Sequence, residues 1–333
     1  MVSLERVRDI YQQPLLSLVF AAQSLHRQHH PADAVQLCTL ANIKSGKCPE
    51  DCKYCSQSAR YPTDIEPYSL LSVEETVRQA EAAKANGSTR FCMGAAWRQV
   101  PDGEQFDRVL TMIRAVRSLD MEACVTLGMV RPDQARRLAE AGLTAYNHNL
   151  DTSASFYPEI VSTRTYQDRL DTLKTVAEAG IQVCCGGIVG LGESESDRVE
   201  FLHVLANLTP QPESVPINAL MPASGTPLAD LPPADPIAIV RTIATARLLM
   251  PHSVVRLSAG RRHMSASDQA LCFMAGANSI FTGETLLTAA NPGTQADADL
   301  FAQLGLHPWE RDSNSAVAGD RDRTHNAPAI PQR

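Results

Sequence analysis

The sequence predicts a single-domain (β/α)8 barrel of the TIM type. Short β-rich runs alternate with amphipathic helical stretches along most of the chain, which is typical of a parallel sheet with crossover helices. The alternation repeats eight times, and eight parallel strands close such a barrel. A length of 333 residues also lies in the range where α/β barrels form one domain. A doubly wound open sheet is the alternative fold.

The predicted elements follow one another in regular order. The strands are expected at Val35–Ile43, Thr89–Ala95, Glu122–Gly128, Ala145–Asp151, Gln182–Val189, Ser214–Met221, Val254–Gly260 and Ser279–Thr282. The helices are expected at Val73–Asn86, Phe106–Leu119, Pro132–Ala141, Tyr166–Ala179, Asp197–Leu208, Pro236–Met250 and Ala266–Ala275. A helical segment over 1–34 precedes the barrel over 35–310, and the polar sequence over 311–333 predicts a disordered tail.

Side-chain parity within the strands predicts a polar barrel interior. Alternate residues of a barrel strand face inward and outward. The apolar residues of one parity should pack on the helices. The opposite parity should face the interior, and it carries Cys92, Cys124, Cys184, Arg256, Asn147, Asn149, Asp151 and Asn218. Because buried polar groups are costly without partners, we expect the interior to be a ligand-filled cavity.

Three inward cysteines and an inward arginine predict a metal site inside the barrel. From the sequence alone, Arg256 is a counter-charge for an anionic centre, and the alternative is that the cysteines are small buried packing residues. Cys185 shares the parity of the outward apolar residues, but a one-residue slip of its strand would let it compete with Cys184. His148 also has outward parity.

Composition narrows the class of protein. A net charge of −7 argues against a nucleic-acid partner. No segment approaches the roughly 18 apolar residues of a membrane helix, and the amino terminus carries Glu5 and Asp9, unlike a signal peptide. Nine cysteines spread over a long chain do not resemble a secreted disulfide framework. Reduced thiols in the cytoplasm, several of them metal ligands, fit better.

The segment Cys48-Pro-Glu-Asp-Cys52-Lys-Tyr-Cys55 is the most informative motif. Structural zinc usually takes four ligands from paired short spacings, and no second CxxC exists here. Closely spaced cysteines also hold iron–sulfur clusters. Three cysteines would leave one iron of a 4Fe–4S cluster without a protein ligand. An open metal position implies a catalytic role and not a structural one. A non-catalytic iron–sulfur or zinc protein is the alternative, and it leaves the polar barrel interior unexplained.

This loop resembles the signature of the radical S-adenosylmethionine enzymes, including the aromatic Tyr54 before the last cysteine. In those enzymes the open iron chelates S-adenosylmethionine, and reduction yields a 5′-deoxyadenosyl radical. The run from Gly186 to Glu193 fits the glycine-rich pattern that lies near the adenine. A mutase or maturase on the same barrel would need the CxxxCxxC loop but not Cys92, Cys124, Cys184 and Arg256 together.

A longer set of segments resembles the biotin synthase family, from about Leu15 to Leu306. The segments are CPEDCKYCSQSARY, GSTRFCMGAAW, EACVTLG, YNHNLDTS, GGIVGLGE, SVPIN and VRLSAGR. The resemblance implies that Cys48, Cys52 and Cys55 hold a 4Fe–4S cluster and that Cys92, Cys124, Cys184 and Arg256 hold a 2Fe–2S cluster. It assigns S-adenosylmethionine to Tyr54, Asn149, Asp151, Arg169 and Ile188, and the substrate's ureido ring to Asn147 and Asn218.

The activity that the resemblance implies is sulfur insertion into dethiobiotin to give biotin. The radical abstracts hydrogen from unactivated C–H positions, and a sulfide of the sacrificed 2Fe–2S cluster closes the ring. The family also implies a flavodoxin or ferredoxin as electron donor, a homodimer and a cytoplasmic location.

Overall fold

Eight parallel strand positions form a closed barrel in the computed structural model of the chain, which describes residues 1–309. The barrel closes where Gln36–Cys38 of the first strand pair with Ser279–Phe281 of the last. The predicted fold is therefore confirmed, and the open sheet is wrong. The predicted tail over 311–333 lies outside the described residues.

The eight barrel strands occupy the predicted runs, several of them ending early, and three short strands after residue 284 lie outside those runs. They are β1 Ala34–Lys44, β2 Arg90–Ala95, β3 Glu122–Thr126, β4 Ala145–Asn147, β5 Gln182–Cys184, β6 Gly187–Val189, β7 Ser214–Ala219, β8 Val254–Leu257, β9 Ser279–Phe281, β10 Thr285–Leu286, β11 Ala289–Ala290 and β12 His307–Pro308. The predicted fifth strand is divided into β5 and β6. The fourth ends early because the Leu150 and Asp151 N–H groups both donate to the Gly186 carbonyl, and Asp151 has φ 69°.

The helices of the barrel begin and end close to their predicted bounds. The helices are α1 Leu4–Tyr11, α2 Leu15–His29, α3 Val73–Ala85, α4 Glu104–Ser118, α5 Pro132–Glu140, α6 Tyr157–Ile160, α7 Tyr166–Glu178, α8 Glu195–Asn207, α9 Pro236–Leu249, α10 Ala266–Met274 and α11 Thr294–Leu304. Several begin at a Ser or Thr whose hydroxyl accepts a backbone N–H three residues later, which fixes the first turn: Ser72, Thr165, Ser194 and Ser265.

The amino-terminal segment, predicted to be helical, contains two helices, α1 and α2. Tyr11 anchors α1 to the barrel helices, since its hydroxyl accepts from Arg198 Nε at 2.8 Å and its carbonyl accepts from Arg241 Nη1 at 2.5 Å. Leu16 and Phe20 of α2 stay 77% and 75% exposed. Within residues 1–309, no helix has the length and apolarity needed to cross a membrane.

Two apolar layers follow the predicted parity. Phe91, Val125 and Val183 belong to the large core between sheet and helices. The thiols of the opposite parity form a separate cluster inside the barrel. The floor, at the amino ends of the strands, is closed by buried Arg90, whose Nε lies 2.7 Å from Glu122 Oε2 and whose Nη2 lies 3.0 Å from Glu213 Oε1.

Candidate active site

A cavity of about 710 Å³ opens at the carboxyl ends of the strands. The loop after β1 forms one wall, and the inward residues of the strands form the deep part. The hairpin β10–β11 contributes Leu286, Leu287 and Thr288 to the rim. In barrels of this class the loops at this end carry the active site. One space therefore connects the mouth loop with the barrel interior.

The mouth set consists of Cys48, Cys52 and Cys55, and all three line the cavity. The loop folds back on itself through backbone bonds from Cys48 N to the Gln57 carbonyl at 3.0 Å and from Cys55 N to the Cys52 carbonyl at 2.9 Å. Burial raises the pKa of Cys55 to about 12, so this thiol is protonated until a cation binds it. Three soft donors of one loop thus face one cavity.

A second contact ties this loop to the chain before α7. The Asp51 carboxylate accepts from the Ser162 N–H at 2.9 Å and the Thr163 N–H at 3.1 Å. Arg164, which follows directly, places Nη2 3.6 Å from Cys52 Sγ. Arg164 was not predicted from the sequence, because it lies in an irregular segment without periodicity. Its positive charge complements the negative charge that three thiolates would carry.

Asp151 is the centre of a polar group beside the mouth set. Tyr54 donates its hydroxyl to Asp151 Oδ2 at 2.8 Å, and Arg169 forms a buried ion pair with the same carboxylate. Although burial opposes it, the Asp151 charge raises the pKa of Arg169 well above its ordinary value. Burial raises the pKa of Tyr54, which keeps it a neutral donor. Asn149 Oδ1 accepts from Gly186 N at 3.1 Å and so lies beside this group.

The inner set consists of Cys92, Cys124 and Cys184, on β2, β3 and β5. Cys92 and Cys124 are direct partners in the strand register. A hydrogen bond with the Cys124 thiol, together with burial, raises the pKa of Cys184 well above that of an ordinary thiol. The three thiols are therefore neighbours on the barrel wall, as parity predicts. Cys185 instead lies in the core between sheet and helices.

Arg256 of β8 faces the same interior and is fully buried. Its Nε donates to Ser279 Oγ at 3.0 Å, and its Nη2 donates to Cys38 Sγ at 3.2 Å. The guanidinium carbon lies 4.7 Å from the centre of the Phe281 ring. Although burial opposes it, the surrounding cysteines raise the pKa of Arg256, so the guanidinium is charged. These contacts fix the side chain at the bottom of the cavity.

Two amides, Asn147 and Asn218, line the same cavity as both cysteine sets. Asn147 Nδ2 donates to Asn149 Oδ1 at 3.0 Å and to Cys184 Sγ at 3.3 Å. Asn218 bridges neighbouring strands, donating to the Gly187 carbonyl at 3.0 Å and accepting from Ala259 N at 3.2 Å. Since an amide has two N–H groups and two lone pairs, Asn218 keeps one donor and one acceptor for a ligand.

The glycine-rich turn after β5 serves packing. A Cβ on Gly186 would lie 1.8 Å from the Pro216 carbonyl oxygen, so only glycine fits there. Glu193 caps the turn, since its carboxylate accepts from Gly190 N at 3.0 and 3.1 Å. Ile188 lines the cavity, as expected for a residue beside a flat ligand.

His148 is a correction to the parity prediction. It was expected to face outward, yet it lines the cavity, because β4 ends at Asn147 and alternation stops there. Burial lowers the pKa of His148 well below its ordinary value, so the ring is neutral. Its Nε2 has no hydrogen-bond partner among the described residues.

The donor chemistry of both cysteine sets fits iron–sulfur clusters. Thiolates are the usual ligands of such clusters. Within residues 1–309, no three His, Cys, Asp or Glu side chains lie close enough to share one metal ion. The fit to a cluster, which spans several atoms, therefore rests on donor type and on the shared cavity.

Comparison of the sequence with known proteins gives two consistent findings. Residues 42–205 match the Radical SAM superfamily, and residues 216–307 match the Biotin and Thiamin Synthesis associated domain. A biotin synthase of Synechococcus sp. (strain JA-3-3Ab) is 67% identical over 307 residues, which cover 92% of this chain and 99% of that protein. A biotin synthase of Gloeobacter violaceus is 57% identical over 306 residues, covering 92% and 96%.

Solved structures share the fold at low sequence identity. A methylornithine synthase aligns with a TM-score of 0.78 at 16% identity, over 93% of this chain and 95% of that one. An FeFe-hydrogenase maturase from Carboxydothermus hydrogenoformans aligns with a TM-score of 0.75 at 18% identity, over 92% and 76%. At this identity the likeness shows the barrel fold alone.

Proposed function

The chain belongs to the biotin synthase family, and from this premise we propose how its residues carry out the radical insertion of sulfur into dethiobiotin. The observation that carries the proposal is the single cavity that two cysteine sets, two amides and a buried ion pair all line. The family uses S-adenosylmethionine, a 4Fe–4S cluster and a 2Fe–2S cluster.

The proposed cluster ligands are the two cysteine sets. Cys48, Cys52 and Cys55 hold the 4Fe–4S cluster at the mouth, and Cys92, Cys124, Cys184 and Arg256 hold the 2Fe–2S cluster near the floor. When bound, these groups and S-adenosylmethionine supply the 5′-deoxyadenosyl radical and the sulfur. Arg164 places a positive charge beside the mouth set, with its Nη2 3.6 Å from Cys52 Sγ.

The proposed S-adenosylmethionine contacts are Tyr54, Asn149, Asp151, Arg169 and Ile188. Asp151 would accept hydrogen bonds from ribose hydroxyls, and Arg169 matches the methionine carboxylate with two parallel N–H groups. These two residues also pair with each other. The ion pair holds both charged side chains in place for these contacts and offsets part of the desolvation of both charges.

The proposed substrate contacts are Asn147 and Asn218. A cyclic urea offers both donors and an acceptor, and the free N–H and free lone pair of Asn218 complement both. Asn147 already uses both N–H groups and offers the substrate a lone pair of its oxygen. Both amides line the cavity that the two cysteine sets share, which would hold the substrate near both sets. The surrounding wall is apolar at Ile188, Phe281 and Leu286, and it excludes water from a reactive intermediate.

The test is product analysis by mass spectrometry after anaerobic cluster reconstitution, with S-adenosylmethionine, a reductant and dethiobiotin. Biotin together with 5′-deoxyadenosine is the expected result. Asn218→Leu should abolish biotin formation while deoxyadenosine formation continues, and Cys272→Ser, a buried thiol of α10 outside both sets, should behave as the wild type. Deoxyadenosine without biotin from wild-type protein that holds both clusters would contradict the proposed substrate contacts.

The partners are proposed on the same basis. We propose a flavodoxin or ferredoxin as electron donor, a homodimer and a cytoplasmic location. The exposed Leu16 and Phe20 of α2 support an interface, because large exposed apolar side chains in one patch commonly mark one. Sedimentation of the wild type against Leu16→Glu/Phe20→Glu tests the dimer. Turnover with reduced flavodoxin, compared with ferredoxin, tests the donor.

A further inference from the structure

A fourth buried thiol lies next to the inner set. Cys38 of β1 has no exposed surface and belongs to the same apolar cluster as Cys92, Cys124 and Cys184. It is separate from the cavity, because Arg256 lies on the cavity wall and Cys38 does not. The Arg256 Nη2 to Cys38 Sγ distance is 3.2 Å, so the guanidinium covers the thiol.

Arg256 and Cys38 differ in their chemistry as metal ligands. A guanidinium presents five N–H donors and no acceptor, so it binds a metal only after losing a proton. A cysteine is the usual ligand of an iron–sulfur cluster, and the ordinary 2Fe–2S site has four of them. Cys38, Cys92, Cys124 and Cys184 together supply four thiols inside one barrel.

The surroundings of Cys38 permit it to act as a ligand. Its Sγ lies 3.5 Å from Gln36 Oε1 and 3.7 Å from Ser279 Oγ. Cys185, the other extra thiol of this region, lies in the outer core and has no comparable access.

We propose that Cys38 is a second donor for the fourth position of the inner cluster and competes there with Arg256. The proposal rests on the proposed function, since it concerns the same site. In the exchange an iron–thiolate bond forms and the iron–guanidine bond breaks. The Cys38 proton passes to the released Arg256 nitrogen, since Arg256 Nη2 lies 3.2 Å from Cys38 Sγ, and no electron is transferred.

A four-variant comparison tests the competition: wild type, Arg256→Met, Cys38→Ser and Cys38→Ser/Arg256→Met. After anaerobic reconstitution, iron and sulfide content and the Mössbauer spectrum report the inner cluster without any need for turnover. The Arg256→Met protein should keep its inner cluster and show a four-thiolate spectrum. The double variant should lose inner-cluster content by about tenfold or more relative to Arg256→Met.

The controls separate the possible failures. Cys272→Ser/Arg256→Met changes a buried thiol outside the site and should match Arg256→Met. Circular dichroism of each reconstituted variant identifies a protein that has not folded, and Cys38→Ala then replaces Cys38→Ser. Equal cluster content and spectra in Arg256→Met and the double variant would overturn the role of Cys38. A wild-type protein without an inner cluster would overturn the proposed function itself.

Discussion

The two cysteine sets are built in opposite ways. Cys48, Cys52 and Cys55 lie within eight residues of one loop, which is held by its own backbone bonds and by Asp51. Cys92, Cys124 and Cys184 come from three strands and are placed by register. A loop can adjust its backbone as a ligand exchanges, whereas neighbouring strands cannot shift without breaking the barrel. The mouth loop is therefore suited to repeated ligand exchange. The strands that carry the inner set are suited to holding those cysteines at fixed distances from one another.

The largest expected effect comes from removing one cysteine of the mouth set, which should leave the inner set intact. Cys52→Ala should reduce S-adenosylmethionine cleavage by more than about 100-fold, since even the loss of residues that support metal ligands costs 10–100-fold. The inner cluster should remain, because its proposed ligands lie on the strands. Deoxyadenosine formation measures the cleavage of S-adenosylmethionine, and iron content measures how much of the inner cluster remains. Cleavage at the wild-type rate would show that the loop is not the ligand set.

The reverse experiment is Cys124→Ser, at the floor. We expect biotin formation to fall by about 100-fold while deoxyadenosine formation stays within about threefold of the wild type. The reason is that Cys124 is a register partner of Cys92 and a neighbour of Cys184, and it belongs to a different buried cluster from Cys52 and Cys55. Chromatography of both products from one reaction gives the ratio. Equal losses of the two products would mean that the sets are not independent.

A smaller effect concerns the stability of the floor. Arg90→Met should lower the free energy of unfolding by about 3 kcal/mol, because it leaves two carboxylates without their shared buried cation. Urea denaturation of cluster-free protein measures the change. The matched control is Arg27→Met, which removes an exposed pair with Asp33 at 3.7 Å and should change stability by less than about 1 kcal/mol. Similar values for both variants would contradict a rigid floor.

The smallest effect concerns the mouth. Thr288→Val removes the hydrogen bond between Ser56 Oγ and Thr288 Oγ1, 2.9 Å long, which joins the cysteine loop to the hairpin β10–β11. A loss of about 1 kcal/mol or less is expected, seen as faster amide hydrogen exchange in the hairpin. Thr111→Val removes an exposed hydroxyl contact of α4 and is the control. Unchanged exchange in Thr288→Val would show that the hairpin is held elsewhere.

Most of the fold was predictable because its periodicity is local. Strand parity placed Cys92, Cys124 and Cys184 on one wall without any coordinates. The early end of β4 and the division of the fifth strand were not predictable, since both depend on two N–H groups that share the Gly186 carbonyl across the chain. The sequence pattern of residues 182–189 shows no interruption.

The site was predictable to the extent that its residues lie in strands or in a contiguous motif. The mouth set could be read directly from CxxxCxxC. His148 was missed because parity fails beyond the end of β4, and Arg164 because its segment has no period. The hairpin β10–β11 was also missed, since two-residue strands leave no alternation to detect.

The buried Arg90 layer also bears on the order of assembly. Arg90, Glu122 and Glu213 cover the amino ends of the strands, and the cavity that the inner cysteines line opens at the carboxyl ends. Under the proposed ligand assignment, iron and sulfide would reach the inner cysteines from the mouth, and a mouth already occupied by its own cluster and by S-adenosylmethionine would obstruct that route. We therefore expect the inner cluster to be built before the outer site fills, and each replacement of spent sulfur to wait until the outer site empties.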